Sequence, residues 1–141
     1  MKIHADENVS HRLVEALNLA GVKHSEIELS SVYSVGHKGW SDVDWVSEFA
    51  ADGGRAILSG DKDFQRKMPQ IRAITNTGLI VILLPERWNT ANLNIKAASI
   101  LIWWDEIERK LKSAPQGTIW KLKWIKIPST YIENIRTRHD K

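Results

Sequence analysis

The chain has 141 residues, with 20 Lys and Arg against 17 Asp and Glu, a formal net charge of +3, and no cysteine. That length is most economically one domain around a single core, and the lack of cysteine excludes both a disulfide framework and a thiolate metal site. The longest apolar stretches, Leu79 to Leu84 and Ala97 to Trp104, fall far short of the roughly 20 residues a membrane-spanning helix needs; the first residues lack the apolar core of a secretory signal, so the expected setting is cytoplasmic, without a membrane.

In chain order, Met1 to Ala5 is a brief strand-like run that stops at Asp6-Glu7-Asn8. Ser10 caps an expected helix whose apolar positions Leu13, Ala16, Leu17 and Ala20 follow the i, i+3, i+4 pattern up to Gly21. Ile27 and Leu29 alternate as in a second strand ending at Ser30-Ser31, and the residues between Gly36 and Gly39 read as a loop. Ser41 and Asp42 then open a second helix, with Trp45, Val46, Phe49 and Ala50 as its apolar side and Asp52-Gly53-Gly54 as its end.

The stretch Arg55 to Phe64 (RAILSGDKDF) organises the rest. Ala56, Ile57 and Leu58 make a short buried strand that Ser59-Gly60 ends just before Asp61 and Asp63. A short helix is expected over 68–76, begun near Pro69, followed by a fully apolar strand from Leu79 to Leu84, as when helices cover both faces of a sheet. Thr90 or Asn92 starts a long helix to about Ser113, carried by Leu93, Ala97, Ile100, Leu101, Trp104, Ile107 and Leu111. After Pro115-Gln116-Gly117, residues Thr118 to Ile127 alternate as a half-exposed strand at a sheet edge, and the last dozen residues show no strong period. Strands alternating with helices predict a layered α/β fold with a mostly parallel sheet.

Charge is unevenly spread. Residues 1–108 hold 11 Lys and Arg against 15 Asp and Glu, giving −4, and residues 109–141 hold 9 against 2, giving +7. An acidic site beside a basic segment suits a metal-dependent enzyme acting on a polyanion, because the cation sits among carboxylates while backbone phosphates need Lys and Arg; a solvated basic tail would look the same.

Two strands that end in acid, placed side by side, predict a cation site, since clustered carboxylates repel unless they share a proton or a metal ion. The candidate residues are Asp6, Asp42 or Asp44, Asp61 and Asp63, with Glu7 a further candidate ligand. Oxygen-only ligands favour Mg²⁺ or Mn²⁺, and such an ion makes phosphodiester hydrolysis feasible without a covalent nucleophile. Neither GxGxxG nor GxxxxGK[ST] occurs, which argues against a dinucleotide or P-loop enzyme. The five histidines are scattered without metal-ligand spacing.

DEN after an N-terminal strand, a central SDVDW and the ILSGDKDF stretch together resemble the PIN-domain superfamily, most closely its small stand-alone PIN-like proteins, which are similar to the toxin half of VapBC-type toxin-antitoxin pairs. The resemblance covers about Met1 to Leu84. It implies a three-layer α/β/α PIN-like fold with a mostly parallel central sheet, formed by a single domain over 1–141 in which 1–84 bears the motifs and 85–141 adds the long helix, edge strand and basic tail. It also implies Mg²⁺- or Mn²⁺-dependent ribonuclease activity. Carried over position by position, the acids are Asp6, Asp42, Asp61 and Asp63, serving as metal ligands and catalytic residues, with Ser59 at the place of the family's small hydroxyl residue. The implied partners are an RNA substrate, an inhibitory antitoxin-type protein and, in a homodimer, a second copy of the chain.

Two other classes compete. A catalytically silent PIN-like module would bind RNA or protein through the basic, Trp-rich C-terminal third, where Trp120 and Trp124, with Trp40 and Trp88 elsewhere, could stack on unpaired bases or form an interface. A phospho-acceptor domain also gathers acids at strand ends around Mg²⁺, but the paired acids after the third strand do not match a lone acceptor aspartate.

Overall fold

The structure is a computed structural model and describes residues 1–22, 25–33, 36–37, 39–125 and 132–136. Its elements follow in order: β1 (Lys2–Ala5), α1 (His11–Leu19), β2 (Glu28–Ser31), α2 (Asp42–Ala51), β3 (Ala56–Ser59), α3 (Asp63–Arg66), α4 (Met68–Thr77), β4 (Ile80–Leu83), a 3₁₀ helix (Glu86–Thr90), α5 (Leu93–Leu101), α6 (Trp104–Ser113) and β5 (Ile119–Lys121). The five strands form one sheet in the order β2-β1-β3-β4-β5, parallel throughout.

Side-chain alternation along these strands produces the layers. Ile3, Ala5, Ala56, Leu58, Ile80 and Ile82 turn to one face, where Leu13 and Leu17 of α1, Ile100 of α5 and Ile107 and Leu111 of α6 cover them. Ile57, Val81 and Leu83 turn to the other, against Trp45, Val46 and Phe49 of α2, Phe64 of α3 and Ile74 of α4. This is the expected three-layer α/β/α fold, and the polar-free β4 is buried along its whole length because both faces are covered.

Helix starts fall where the capping chemistry puts them. Ser10 Oγ accepts the Leu13 N–H, Ser41 Oγ the Asp44 N–H and Asn92 Oδ1 the Ile95 N–H, each satisfying a backbone donor that a first helical turn leaves open. Gly78, in the left-handed region at φ 74°, ends α4 and turns the chain into β4.

The expected long helix is two helices. Trp103 N–H donates to Ile100 O, three residues back, and the helix restarts at Trp104. The break lets adjacent indoles reach different partners: Trp104 is buried with its Nε1 donating to Ser25 Oγ, whereas half-buried Trp103 donates to Lys123 O. β5 lies at the sheet edge as expected but covers only three residues, all exposed. Leu122 to Ile125 lie outside it; Lys126 and Ile127, expected to extend it, and most of the final dozen residues lie outside the described residues. Two single-turn elements, α3 and the 3₁₀ helix, were not signalled by periodicity. The latter buries Trp88 completely, so that indole is core and unavailable to a base.

Arg55, just before β3, ties the central strand to the end of α6. Its guanidinium donates to Leu111 O at 2.7 and 3.1 Å and to Ala114 O at 3.1 Å, occupying carbonyls that the last turn of α6 leaves open. Arg55→Ala is expected to cost about 2 kcal/mol, read as a lower urea midpoint at unchanged slope.

The sheet order places a topological switch point between β1 and β3: from β1 the chain runs outward to β2, and from β3 the other way to β4. Ligand crevices in open parallel sheets lie at the carboxyl ends of such strands, and both of these strands end in acid. Among the described residues no helix is long and apolar enough to cross a membrane.

Candidate functional site

β1 and β3 pair in register Ala5 to Leu58, so their next residues, Asp6 and Ser59, meet at the crevice. Asp6 N–H donates to Leu58 O at 3.1 Å. The Ser59 hydroxyl donates to Asp6 Oδ2, while its oxygen accepts the Asp61 N–H at 2.9 Å. Asp61 Oδ1 in turn accepts the Asp63 N–H at 2.9 Å, which starts α3. Serine at the strand end therefore orients both acids flanking it.

The third contribution comes from α2. Asp42 lies three and four residues before the buried Trp45 and Val46, on the same helix face, and its carboxylate accepts the Trp45 indole N–H at 3.1 Å. The Gln70 amide of α4 approaches its other oxygen at 3.4 Å. Asp44 is exposed and lines a separate hollow with Ser47 and Glu48, so Asp42 is the acid this helix turns inward.

One carboxylate oxygen each from Asp42, Asp61 and Asp63 lies within 4.8 Å of the other two. Asp6 is not one of these three; it sits deeper, 3 % exposed, with Oδ1 accepting the Asn8 N–H at 3.0 Å. Burial pushes the Asp6 carboxyl up to about 7 against the pull of its hydrogen bonds from Ser59 and Asn8, and the nearby Asp61 and Asp42 push it further the same way. Glu7 points elsewhere: its carboxylate accepts the Gly39 N–H and steadies the loop before α2.

The donor set fits a hard divalent cation. Ligand oxygens of an ion with Mg²⁺-like bonds stand about 3 to 4 Å apart, inside the 4.8 Å within which these three lie, and all three donors are carboxylate oxygens. Their charge is only partly offset, by Lys67 Nζ at 3.1 Å from Asp63 Oδ2.

Beside the acids, a hollow of about 190 Å³ is lined by Asp61 and Glu86 and by Lys62, Arg66 and Lys121. Lys62 ion-pairs with Glu86, and its ammonium is held below the usual lysine range by desolvation and then by repulsion from Arg66 and Lys121.

Some neighbours carried no sequence signal. His4, on the face of β1 that also presents Asp6, is fully buried, stacks on Phe49 at 4.9 Å and is hydrogen-bonded to Ser30 Oγ at 2.9 Å; His37 meets it at 3.4 Å. Burial, then the proximity of His37, lowers the His4 imidazole to about 4. Lys67 and Gln70 stand one and two turns beyond Asp63, a spacing that would have identified Lys67 as its i+4 partner.

The family model of the PIN like domain matches residues 1–86, a stretch that contains all four expected acids and Ser59. No curated protein and no solved structure matches the chain. With more than half of its length matched, and with strand-end carboxylates converging at the switch point of a parallel α/β/α sheet, the chain belongs to the PIN-like domain family.

Proposed function

We propose that the chain is a metal-dependent endoribonuclease that hydrolyses RNA phosphodiester bonds. The convergence of Asp42, Asp61 and Asp63 within 4.8 Å carries this reading, and PIN-like domains are usually nucleases. Those three residues would hold Mg²⁺ or Mn²⁺, with Asp6 behind them. A bound ion of this kind supplies a lowered pKa for a coordinated water and a counter-charge for the phosphate oxygens.

The chain's own residues prepare the site. Trp45 and Gln70 fix the Asp42 carboxylate, and the backbone N–H of Asp63 fixes that of Asp61; preset ligands lose less freedom when charge binds. Burial raises the Asp6 carboxyl to about 7, and the Ser59 hydroxyl that donates to its Oδ2 also lies 3.2 Å from Asp61 O.

The wider biological reading is a toxin of a toxin-antitoxin pair, acting in the cytoplasm and restrained by a partner protein that covers the acidic crevice, with a homodimer as its assembly. We take 1–141 as one domain, a reading supported by the core in which Ile3 and Leu13 pack with Ile100, Trp104 and Leu111. The test of the activity is cleavage of a mixed pool of RNAs by purified protein in Mg²⁺, Mn²⁺ or EDTA. Cutting confined to the metal-containing reactions is expected; RNA left intact with every metal would overturn it.

One contact favours a second reading. Lys67 on Asp63 supplies a counter-charge without any ion, as a catalytically silent PIN-like RNA- or protein-binding module would need. That module would bind in EDTA as well as in Mg²⁺ and cut in neither.

A further inference from the structure

The hollow beside the acidic cluster is lined by Leu83 and Leu84 at the end of β4. Lys121 lines it and also lines a second, larger groove of about 330 Å³ between β5 and α6. Ile82, Ile107, Trp103 and Trp120 line this second groove, together with the cations Lys110 and Lys123 and one carboxylate, Glu106. β5 is the reason one strand serves both hollows. Trp120 pairs in register with Ile82 and Lys121 with Leu83, so neighbouring side chains leave on opposite faces of the sheet edge. These groove residues, Lys121 included, lie outside the matched stretch 1–86, apart from Ile82.

Charge and shape name the occupant. Lys62, Arg66 and Lys121 gather at the first hollow; among the described residues no ion pair is found for Arg66 or Lys121. Trp120 is 36 % exposed, with Lys110 Nζ 4.4 Å from the centre of its ring. An apolar, aromatic-lined pocket with three lysines against the single carboxylate of Glu106 takes a flat π-system joined to an anion, and a run of phosphates leading to carboxylates able to hold a divalent ion completes a polynucleotide path.

We propose that this edge is the track of a single-stranded RNA segment leaving the acidic cluster: phosphates lie on Lys62, Arg66 and Lys121, and an unstacked base sits between Trp103 and Trp120. The proposal rests on the nuclease reading for its direction, since Asp61 is where the track begins. It is specific for single strands, because a base must be splayed from its stack to reach the indoles. Residues 87–141 thus supply substrate positioning to a site whose acids all come from 1–86.

The test is binding of a fluorescein-labelled single-stranded RNA to the wild-type full chain in EDTA, across a salt series, beside Lys121→Ala, Trp120→Ala and Trp120→Phe. Lys121→Ala should flatten the slope of log affinity against log salt by about 0.7, the single-strand value per cation. Trp120→Ala should weaken binding about tenfold at unchanged slope, with Trp120→Phe recovering most of the loss. A fully paired RNA duplex should compete poorly.

Unchanged binding and slope in Lys121→Ala and Trp120→Ala would overturn the track, as would no binding by the wild type or equal competition by duplex. Both side chains are exposed, and a circular-dichroism melt of each variant separates lost binding from lost folding. The two readings fail separately. Metal-dependent cleavage with indifferent groove variants removes the track and keeps the nuclease; groove-dependent binding without cleavage in any metal does the reverse.

Discussion

Asp61→Asn will lower metal-dependent RNA cleavage by about a thousandfold or more, the scale of losing several kcal/mol of charge stabilisation. Asp44→Asn, in the same assay, will stay within about twofold of wild type. The contrast matters more than either number. Both are aspartates in acid-rich stretches; Asp61 contributes an oxygen to the three-carboxylate cluster, while Asp44 caps nothing in the site and faces a separate hollow. Asparagine keeps the oxygen that accepts the Asp63 N–H, and it relieves repulsion among the clustered acids, so the variant should melt at or above the wild-type temperature in EDTA. Single-turnover cleavage in Mg²⁺ and in Mn²⁺, paired with a melt, checks both halves. Undiminished cleavage by Asp61→Asn would remove it from the site.

The second large effect is on stability. Asp6 titrates at about 7 in the folded chain against 3.8 for an ordinary aspartate. Between those values the folded state binds a proton that the unfolded state has already lost, so stability falls as pH rises through the window. The full loss, reached above pH 7, is on the order of 4 kcal/mol. His4 acts in the opposite sense. It titrates at about 4 against 6.5, the unfolded state binds the extra proton, and stability rises with pH over that range.

The two contributions oppose each other in the wild type, and Asp6→Asn unmasks the histidine. In EDTA the variant should be more stable than wild type at about pH 8 by several kcal/mol and close to it near pH 4. Asparagine suits the site because it imitates the protonated acid, able to donate to Ser59 while accepting from Asn8. Urea unfolding at the two pH values measures this. A variant no more stable than wild type at the higher pH would contradict the assigned cost of burying Asp6. Buried carboxyls shifted this far cluster at functional sites.

The fold was legible because its signals are local. RAILSGDKDF and LIVILL are short apolar runs bounded by breakers, Ser10, Ser41 and Asn92 sit at helix starts, and the strand-helix alternation then leaves few arrangements. The choice of Asp42 over Asp44 was also present in the sequence, since Asp42, Trp45, Val46 and Phe49 make one i, i+3, i+4, i+7 stripe and Asp44 falls off it. The break at Trp103 could not be read there. Ile100, Trp104, Ile107 and Leu111 are all buried and keep a helical period across it, and only the distant partners Ser25 and Lys123 show why the turn tightens. His4 with His37, and the track around Lys121, depend on which strands are neighbours. No local pattern encodes that.

The clamp from Arg55 to Leu111 and Ala114 has a consequence for how the chain comes off the ribosome. All four acids are in the chain once Asp63 has been made, but the face of the sheet under α5 and α6 stays bare, and the guanidinium stays without its carbonyls, until about fifty further residues follow. A nascent chain carrying the complete acidic cluster therefore lacks the half of its core that would hold β1 and β3 in register. Vectorial synthesis makes α6 the step that commits the sheet to its fold, and the cluster cannot assemble stably before that helix has been made.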